Sequence, residues 1–238
     1  VRGNIHLTKV DSEYPDNKLT GATFEVYKDS NATGNLDDGD ELLGTLTEKE
    51  IGEYSMNDLF YGRYFVKETK APEGFVLDTG VYEVMIDTGG KTYEVENKAG
   101  VGFVNDAMRG NLKIVKTSSD GKVKGFAFRI TGANGYDIIL ETNDKGEIFI
   151  DGLRIGDYTI SEVSNSASSM YVIPADKKAT VKLGSTTIVE MHNVLRDTPK
   201  TGDTTNLPLL YALAGLSAVG IAVCGVIGFK KKKKEDRN

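Results

Sequence analysis

Two stretches with the same strand pattern, GNIHLTK at Gly3–Lys9 and GNLKIVK at Gly110–Lys116, divide this chain into two related units. In both stretches apolar and polar residues alternate, which is the two-residue period of a half-buried β-strand. Other segments of the two units align in the same order, GRYFVKE with GDYTISE (Gly62–Glu68 with Gly156–Glu162) and Phe103–Asn105 with Met191–Asn193. The sequence therefore predicts an internal repeat.

We expect an all-β fold, because runs rich in Val, Ile, Tyr, Thr and Phe alternate with Gly, Asp and Asn, and no sustained helical period precedes residue 207. The 238 residues suffice for two domains of about 100 residues each. We place the domains at 1–107 and 108–196, each an antiparallel, Ig-like β-sandwich. Arg2 precedes Gly3 as Arg109 precedes Gly110, so we expect another unit upstream of Val1.

The charge of the chain excludes one class of partner. The net charge is −6, but Lys230–Asn238 hold six positive and two negative side chains, so the remaining chain carries −10. Phosphate binding requires clustered Lys and Arg, and we therefore expect no nucleic-acid partner.

The single cysteine, Cys224, lies in an apolar run, so the body holds no disulfide. No nucleophile-elbow or triad motif occurs, and we expect neither an enzyme nor a cofactor.

Three polar residues in each unit fall on the apolar face of their strands. They are Lys9, Glu68 and Asn105 in the first unit, and Lys116, Glu162 and Asn193 in the second. Lys9, for example, shares a face with Ile5 and Leu7, because residues two apart in a strand point the same way. A buried lysine and glutamate must meet or neutralise each other. The alternative is that each side chain reaches solvent past a strand end, but three matching positions in both units favour burial.

The C-terminal region, 197–238, has the composition of a membrane segment. Leu207–Phe229 is 23 residues without a charge, long enough as a helix to span a hydrocarbon core of about 30 Å. Lys230–Lys234 then mark the cytoplasmic end, which places the body outside the cell. The preceding pentapeptide is Thr198, Pro199, Lys200, Thr201 and Gly202. A plain membrane anchor is the alternative, but it leaves this pentapeptide unexplained.

The order of Pro-x-Thr-Gly, apolar span and basic end resembles the cell-wall sorting signal of Gram-positive surface proteins. The family motif usually begins with Leu, and Thr198 stands in that place. The resemblance implies that a sortase cysteine attacks the carbonyl of Thr201, Gly202 leaves with the membrane tail, and a cell-wall amine resolves the acyl-enzyme. Sortase and peptidoglycan are then partners, and the membrane holds the chain only until it is cut.

Each unit also resembles a Cna B-type, prealbumin-like domain of adhesins and pilins, most clearly at KETKAPEGF, Lys67–Phe75. The second unit reads SEVSNSASSM at the corresponding place, so its assignment depends on alignment and strand parity. The resemblance implies an intramolecular isopeptide bond in each unit, formed by a lysine and an asparagine and promoted by a glutamate. By position these are Lys9–Asn105 with Glu68, and Lys116–Asn193 with Glu162.

Together these features predict the stalk of a wall-anchored adhesin, with a host matrix protein as the target of a head upstream of Val1. An accessory pilin joined to other pilin subunits, or the stalk of a cell-surface enzyme, is the alternative. The acidic run Asp29–Glu41 lies near the spacing of a calcium loop, but it lacks flanking helices and a solvated hairpin loop is favoured. His6 and His192 fall on the outward faces of their strands, and no cysteine or second histidine lies at the spacing of a metal site.

Overall fold

The computed structural model describes residues 1–196, and these residues form strands and turns with a single 3₁₀ turn, Ala133–Gly135. The sorting motif Thr198–Gly202 and the span 207–229 lie outside the described residues. Within the described range, no helix has the length and apolarity needed to cross a bilayer. The prediction of an all-β fold with two tandem sandwiches is confirmed.

The first sandwich contains two sheets. One has the order β4-β5-β1-β8, with β9 also paired to β1, and the other has the order β3-β2-β6-β7. The strands are β1 (Arg2–Asp11), β2 (Thr23–Lys28), β3 (Glu41–Thr45), β4 (Thr47–Glu50), β5 (Glu53–Phe60), β6 (Gly62–Lys70), β7 (Val81–Ile86), β8 (Thr92–Glu94) and β9 (Phe103–Asn105).

The second sandwich repeats this plan, with sheets ordered β13-β10-β17-β15 and β12-β11-β14-β16. Its strands are β10 (Arg109–Ser118), β11 (Ala127–Thr131), β12 (Asp137–Glu141), β13 (Glu147–Arg154), β14 (Gly156–Val163), β15 (Tyr171–Val172), β16 (Lys177–Val181) and β17 (Thr186–Leu195). Its closing strand β17 is continuous, whereas the corresponding part of the first sandwich is divided into β8 and β9.

The expectation of purely antiparallel sheets is wrong for the first sandwich. Strand β1 pairs antiparallel with β5, but it pairs in parallel with β8 and with β9. The chain crosses to the opposite sheet and back between β1 and β8, and such crossovers permit parallel neighbours. The first and last strands of the domain therefore lie side by side and run in the same direction.

The core of the first sandwich forms where the alternating strands bury one face. Along β1, Ile5, Leu7 and Lys9 are buried while the residues between them are partly exposed. The ring of Phe24 packs edge-to-face on Tyr54 and Phe103, with centroid distances of 5.3 and 4.9 Å. Such aromatic pairs stabilise by about 0.5–1.5 kcal/mol beyond the area they bury. Phe103 thus fixes β9 against both sheets.

Candidate functional site

All six polar residues from the parity argument lie inside the two cores. Each of Lys9, Glu68, Asn105, Lys116, Glu162 and Asn193 is at most 7 % exposed. The strands explain this arrangement, since each residue continues the buried face of a regular strand: β1, β6 and β9 in the first sandwich, and β10, β14 and β17 in the second.

In the first sandwich, the glutamate and the asparagine are in direct contact. Asn105 Nδ2 donates a hydrogen bond of 2.8 Å to Glu68 Oε2, and the backbone N–H of Asp78 donates to the same oxygen at 2.8 Å. Lys9 Nζ donates to the carbonyl oxygen of Phe103 at 3.0 Å, two residues before Asn105. The three side chains enter one region of the core from three strands.

The second sandwich repeats the acid–amide contact. Asn193 Nδ2 donates to Glu162 Oε1 at 2.6 Å. Lys116 Nζ donates to the carbonyl oxygen of Thr117 and lies 4.1 Å from the centroid of the Phe126 ring. A ring face attracts the charged form of a lysine, and Lys9 Nζ likewise lies 5.5 Å from the centroid of the Phe103 ring. Both lysines therefore donate to a backbone carbonyl and face an aromatic ring, but only Lys9 reaches the carbonyl of a residue on the strand that carries its asparagine.

The same two kinds of atom are left unsatisfied in both cores. Glu68 Oε1 and Asn105 Oδ1 are buried without a hydrogen-bond partner, and so are Glu162 Oε2 and Asn193 Oδ1. A buried polar atom without a partner costs about 1–3 kcal/mol. In each core both of these atoms are acceptors when the carboxyl is ionised, so neither can satisfy the other. A proton on the carboxyl would let it donate to the amide oxygen and satisfy both.

Burial shifts the protonation of the ionisable members in the direction this chemistry needs. Burial lowers the pKa of Lys9 to about 8, although the charges of Glu68, Asp78 and Asp11 oppose the shift. Burial also raises the pKa of Glu68, against hydrogen bonds from Asn105 and from the backbone of Asp78. The pair is thereby driven towards a neutral amine and a neutral acid.

The ionisable pair of the second sandwich shifts in the same directions. Burial lowers the pKa of Lys116, opposed by the charges of Glu162 and Asp120. Burial raises the pKa of Glu162, opposed by the hydrogen bond from Asn193 and the charge of Lys116. A neutral amine is a nucleophile, and a neutral carboxylic acid is a proton donor. Both cores therefore contain a lysine, a glutamate and a carboxamide whose surroundings favour the neutral amine and the neutral acid.

Sequence reasoning missed the role of Asp78 in this site. Asp78 lies in the loop between β6 and β7, where no periodicity indicates what a residue faces. It reaches Glu68 through its backbone N–H, a group that every non-proline residue carries. No sequence signal could have distinguished it.

The acidic run Asp29–Glu41 joins β2 to β3 as a hairpin loop. The carboxylate of Asp37 accepts hydrogen bonds from Asn31 Nδ2 at 2.7 Å, Thr33 Oγ1 at 2.9 Å and the backbone of Gly39 at 2.8 Å.

Across residues 1–196, no three His, Cys, Asp or Glu side chains are grouped so that they could hold a metal ion. His6 lies 2.8 Å from Glu53 and 2.7 Å from Glu94.

A Glu68→Gln variant, in which Lys9 would not form the expected bond to Asn105, should show the free-energy cost of burying the lysine's charge. Because the pKa of Lys9 is lowered from 10.5 to about 8, the folded state loses the proton first and stability rises with pH between those values. In a Glu68→Gln variant we expect the free energy of unfolding to rise by about 2 kcal/mol between about pH 8 and 10. Denaturant titrations at each pH would measure it. The E68Q/K9M double variant should show no such rise, and an equal rise in both would contradict the assignment.

Two tandem sandwiches, each with its closing strand beside its first strand, define a pair of prealbumin-like domains. Residues 3–99 and 110–194 both match the SpaA prealbumin-like fold domain, and together they cover well over half of the sequence. The chain therefore belongs to this family.

Individual relatives agree with the family assignment. The trypsin-resistant surface T6 protein of Streptococcus pyogenes serotype M6 is 28% identical over 184 residues, covering 76% of this chain and 30% of that protein. The Bacillus anthracis TIE protein has the same fold, with a TM-score of 0.62 and 24% identity, over 81% of this chain and 34% of that one. This chain therefore spans about a third of the length of these two relatives.

Proposed function

We propose that this chain is the stalk and anchor of a Gram-positive surface adhesin, joined to peptidoglycan by sortase and stabilised by two Lys–Asn isopeptide bonds. The observation that supports it best is the buried lysine, glutamate and asparagine in each of two SpaA-type domains. Family membership and the streptococcal surface relative favour an extracellular structural role rather than an enzyme.

The burial of Lys9 and the contact between Glu68 and Asn105 support the following crosslinking step in the first sandwich. The neutral amine of Lys9 attacks Cγ of Asn105, while protonated Glu68 donates to Oδ1 and stabilises the negative charge that develops there. Glu68 then transfers a proton from the attacking nitrogen to Nδ2. A C–N bond forms, the original C–N bond breaks, and one ammonia leaves without any change of redox state. Lys116, Glu162 and Asn193 perform the same step in the second sandwich.

The bonds would supply the stability that disulfides supply in other extracellular proteins. Lys9–Asn105 and Lys116–Asn193 close loops of about 97 and 78 residues. By analogy with disulfides, closing loops of this size stabilises by about 4–5 kcal/mol in the chain-entropy model. Each bond joins the first strand of its sandwich to the last, so tension along the chain would bypass almost the whole domain.

Sortase anchoring is inferred from the order of the C-terminal elements. By its chemistry, Pro199 would restrict the residue before it to extended geometry and Gly202 would allow close approach of an enzyme to the scissile backbone. The basic end Lys230–Lys234 would retain the chain in the membrane. Cleavage between Thr201 and Gly202 would release the chain from its membrane tail and join Thr201 covalently to the cell wall. The body would then remain outside the cell, on the wall surface.

Wall-released protein from sortase-active cells should end at Thr201, with a peptidoglycan fragment attached and residues from Gly202 onward missing. Mass spectrometry of the C-terminal peptide after wall digestion would measure this. A Thr201→Ala variant should keep its tail in the membrane fraction, and Thr204→Ala, three residues later, should be processed normally. Wild-type protein that retains its tail in these cells would contradict the proposal. A ladder of covalently joined pilin subunits carrying this chain would assign it instead to the base of a pilus.

A further inference from the structure

The closing strand of the first sandwich is interrupted just before the reactive asparagine. Along β8 the pairing with β1 is Asn4 with Thr92 to His6 with Glu94, an offset of 88 residues. Along β9 it is Lys9 with Phe103 to Asp11 with Asn105, an offset of 94. Six residues are therefore looped out between β8 and β9, and β9 is only three residues long. Without this excursion Ala99, not Asn105, would lie opposite Asp11.

The side chain of Asn97 replaces the backbone pairing that the excursion removes. Asn97 Oδ1 accepts from the backbone N–H of Val104 at 2.6 Å, and Asn97 Nδ2 donates to the carbonyl oxygen of Val104 at 2.8 Å. These two bonds replace those that a neighbouring strand would make to Val104. They also assign the orientation of the Asn97 amide, because Oδ1 must face the N–H and Nδ2 must face the carbonyl oxygen. Val104 directly precedes Asn105, so the amide holds the backbone next to the reacting group.

Asn97 is also joined to the general acid. Its Nδ2 donates to Asp78 Oδ2 at 2.7 Å, and the backbone N–H of Asp78 donates to Glu68 Oε2 at 2.8 Å. Asn105 Nδ2 donates to the same Glu68 oxygen, so these hydrogen bonds form one continuous network. The hydrogen bonds thus tie the strand that carries the carboxamide to the group that protonates it.

Asn97, Asp78, Val104 and Asn105 are among the residues that line a cleft of about 470 Å³. Gly102, the residue before β9, lies close to the backbone of β1. Its φ is 126°, and a Cβ there would lie 2.7 Å from the carbonyl oxygen of Thr8.

We infer that Asn97 is a positioning residue for crosslinking in the first sandwich, setting the place of Asn105 relative to Glu68 through Val104 and Asp78. This inference rests on the proposed isopeptide chemistry. A displacement of about 1 Å in a reacting group can cost about 100-fold in rate. Without Asn97 the three-residue strand β9 keeps its pairing with β1, but Val104 loses two hydrogen bonds, and we expect Asn105 to shift by up to that amount. The crosslink forms only when nucleophile, acid and carboxamide coincide.

The test measures the crosslinking rate of each sandwich in the full chain. Protein synthesised in a short pulse is chased at constant temperature, quenched in denaturant and digested, and the two branched peptides are quantified by mass spectrometry. We expect N97A and N97D to slow formation of the Lys9–Asn105 peptide by about 10-fold or more. The Lys116–Asn193 peptide serves as an internal standard and should form at the wild-type rate. The matched control N57A, at an exposed asparagine of β5, should leave both rates unchanged.

A swapped pair separates positioning from a general loss of structure. In D78N/N97D an amide at 78 can again donate to a carboxylate at 97, but that carboxylate cannot donate to the carbonyl oxygen of Val104, so only part of the rate lost in N97D should return. Circular dichroism at the same time points gives the folded fraction. The inference is overturned if N97A crosslinks as fast as N57A, if the swap restores nothing, or if the rate falls only in proportion to the folded fraction. Wild-type protein without either branched peptide would refute the proposed chemistry itself.

Discussion

A Glu68→Gln variant is expected to melt about 20 °C below the wild type in its first sandwich, with the second sandwich unchanged. Glutamine keeps the size of the side chain but cannot exchange a proton with Lys9 or Asn105. The crosslink would not form, and the roughly 4–5 kcal/mol from loop closure would be lost. Each kcal/mol shifts the melting temperature of a domain this size by about 4–8 °C. Differential scanning calorimetry would resolve the affected transition.

The matched control is Glu50→Gln, at an exposed glutamate of β4. It makes the same chemical change outside the core, and its melting temperature should stay within about 2 °C of the wild type. A first-sandwich transition in E68Q that coincides with that of E50Q would contradict the crosslinking role of Glu68. The corresponding change Glu162→Gln should affect only the second sandwich.

Pulling the chain by its ends should show the second large effect. In the wild type the load would pass from Lys9 to Asn105 through the side chains, so the residues between them would not extend. In an Asn105→Ala variant the same loop of about 97 residues becomes free and should add a step of about 300 Å, at about 3.3 Å per residue. Single-molecule force spectroscopy would record the presence or absence of this step.

The Asn57→Ala variant again provides a control, because its asparagine is exposed and lies outside the trio. It should give the short extension of the wild type. A step of about 300 Å from the first sandwich of the wild-type protein would show that no covalent bond joins β1 to β9. The Asn193→Ala variant should release the second sandwich in the same way, with a shorter step because its loop has fewer residues.

Strand parity was sufficient to predict the burial of these polar residues, because β1 and β14 keep a two-residue period through Lys9 and Glu162, although Phe65 on the other face of β6 is buried as well. Parity assigns a residue to a face but says nothing about which strand is its neighbour. The parallel pairing of β1 with β8 and β9 was therefore not predicted. The looped-out residues before β9 were hidden for a related reason, since a six-residue excursion in a polar run looks like an ordinary turn.

The supporting residues of the site could not be predicted at all. Asn97 lies in a turn-rich segment, where asparagine is common for its own backbone preferences. Its hydrogen bonds to Val104 depend on the path of the looped-out residues between β8 and β9, which only the structure shows. The sorting motif Thr198–Gly202 is the opposite case, since its linear pattern is clear but it lies outside the described residues and stays a prediction.

The most direct test of the account is the intact mass of the body, residues 1–196, purified after expression at neutral pH. Two isopeptide bonds should make it about 34 Da lighter than its sequence, which is the mass of two ammonia molecules of about 17 Da each. Replacing Lys9 or Glu68 by alanine should restore about 17 Da, and replacing Lys116 or Glu162 as well should restore the remainder. A wild-type mass equal to that of the unmodified sequence would contradict the crosslinks.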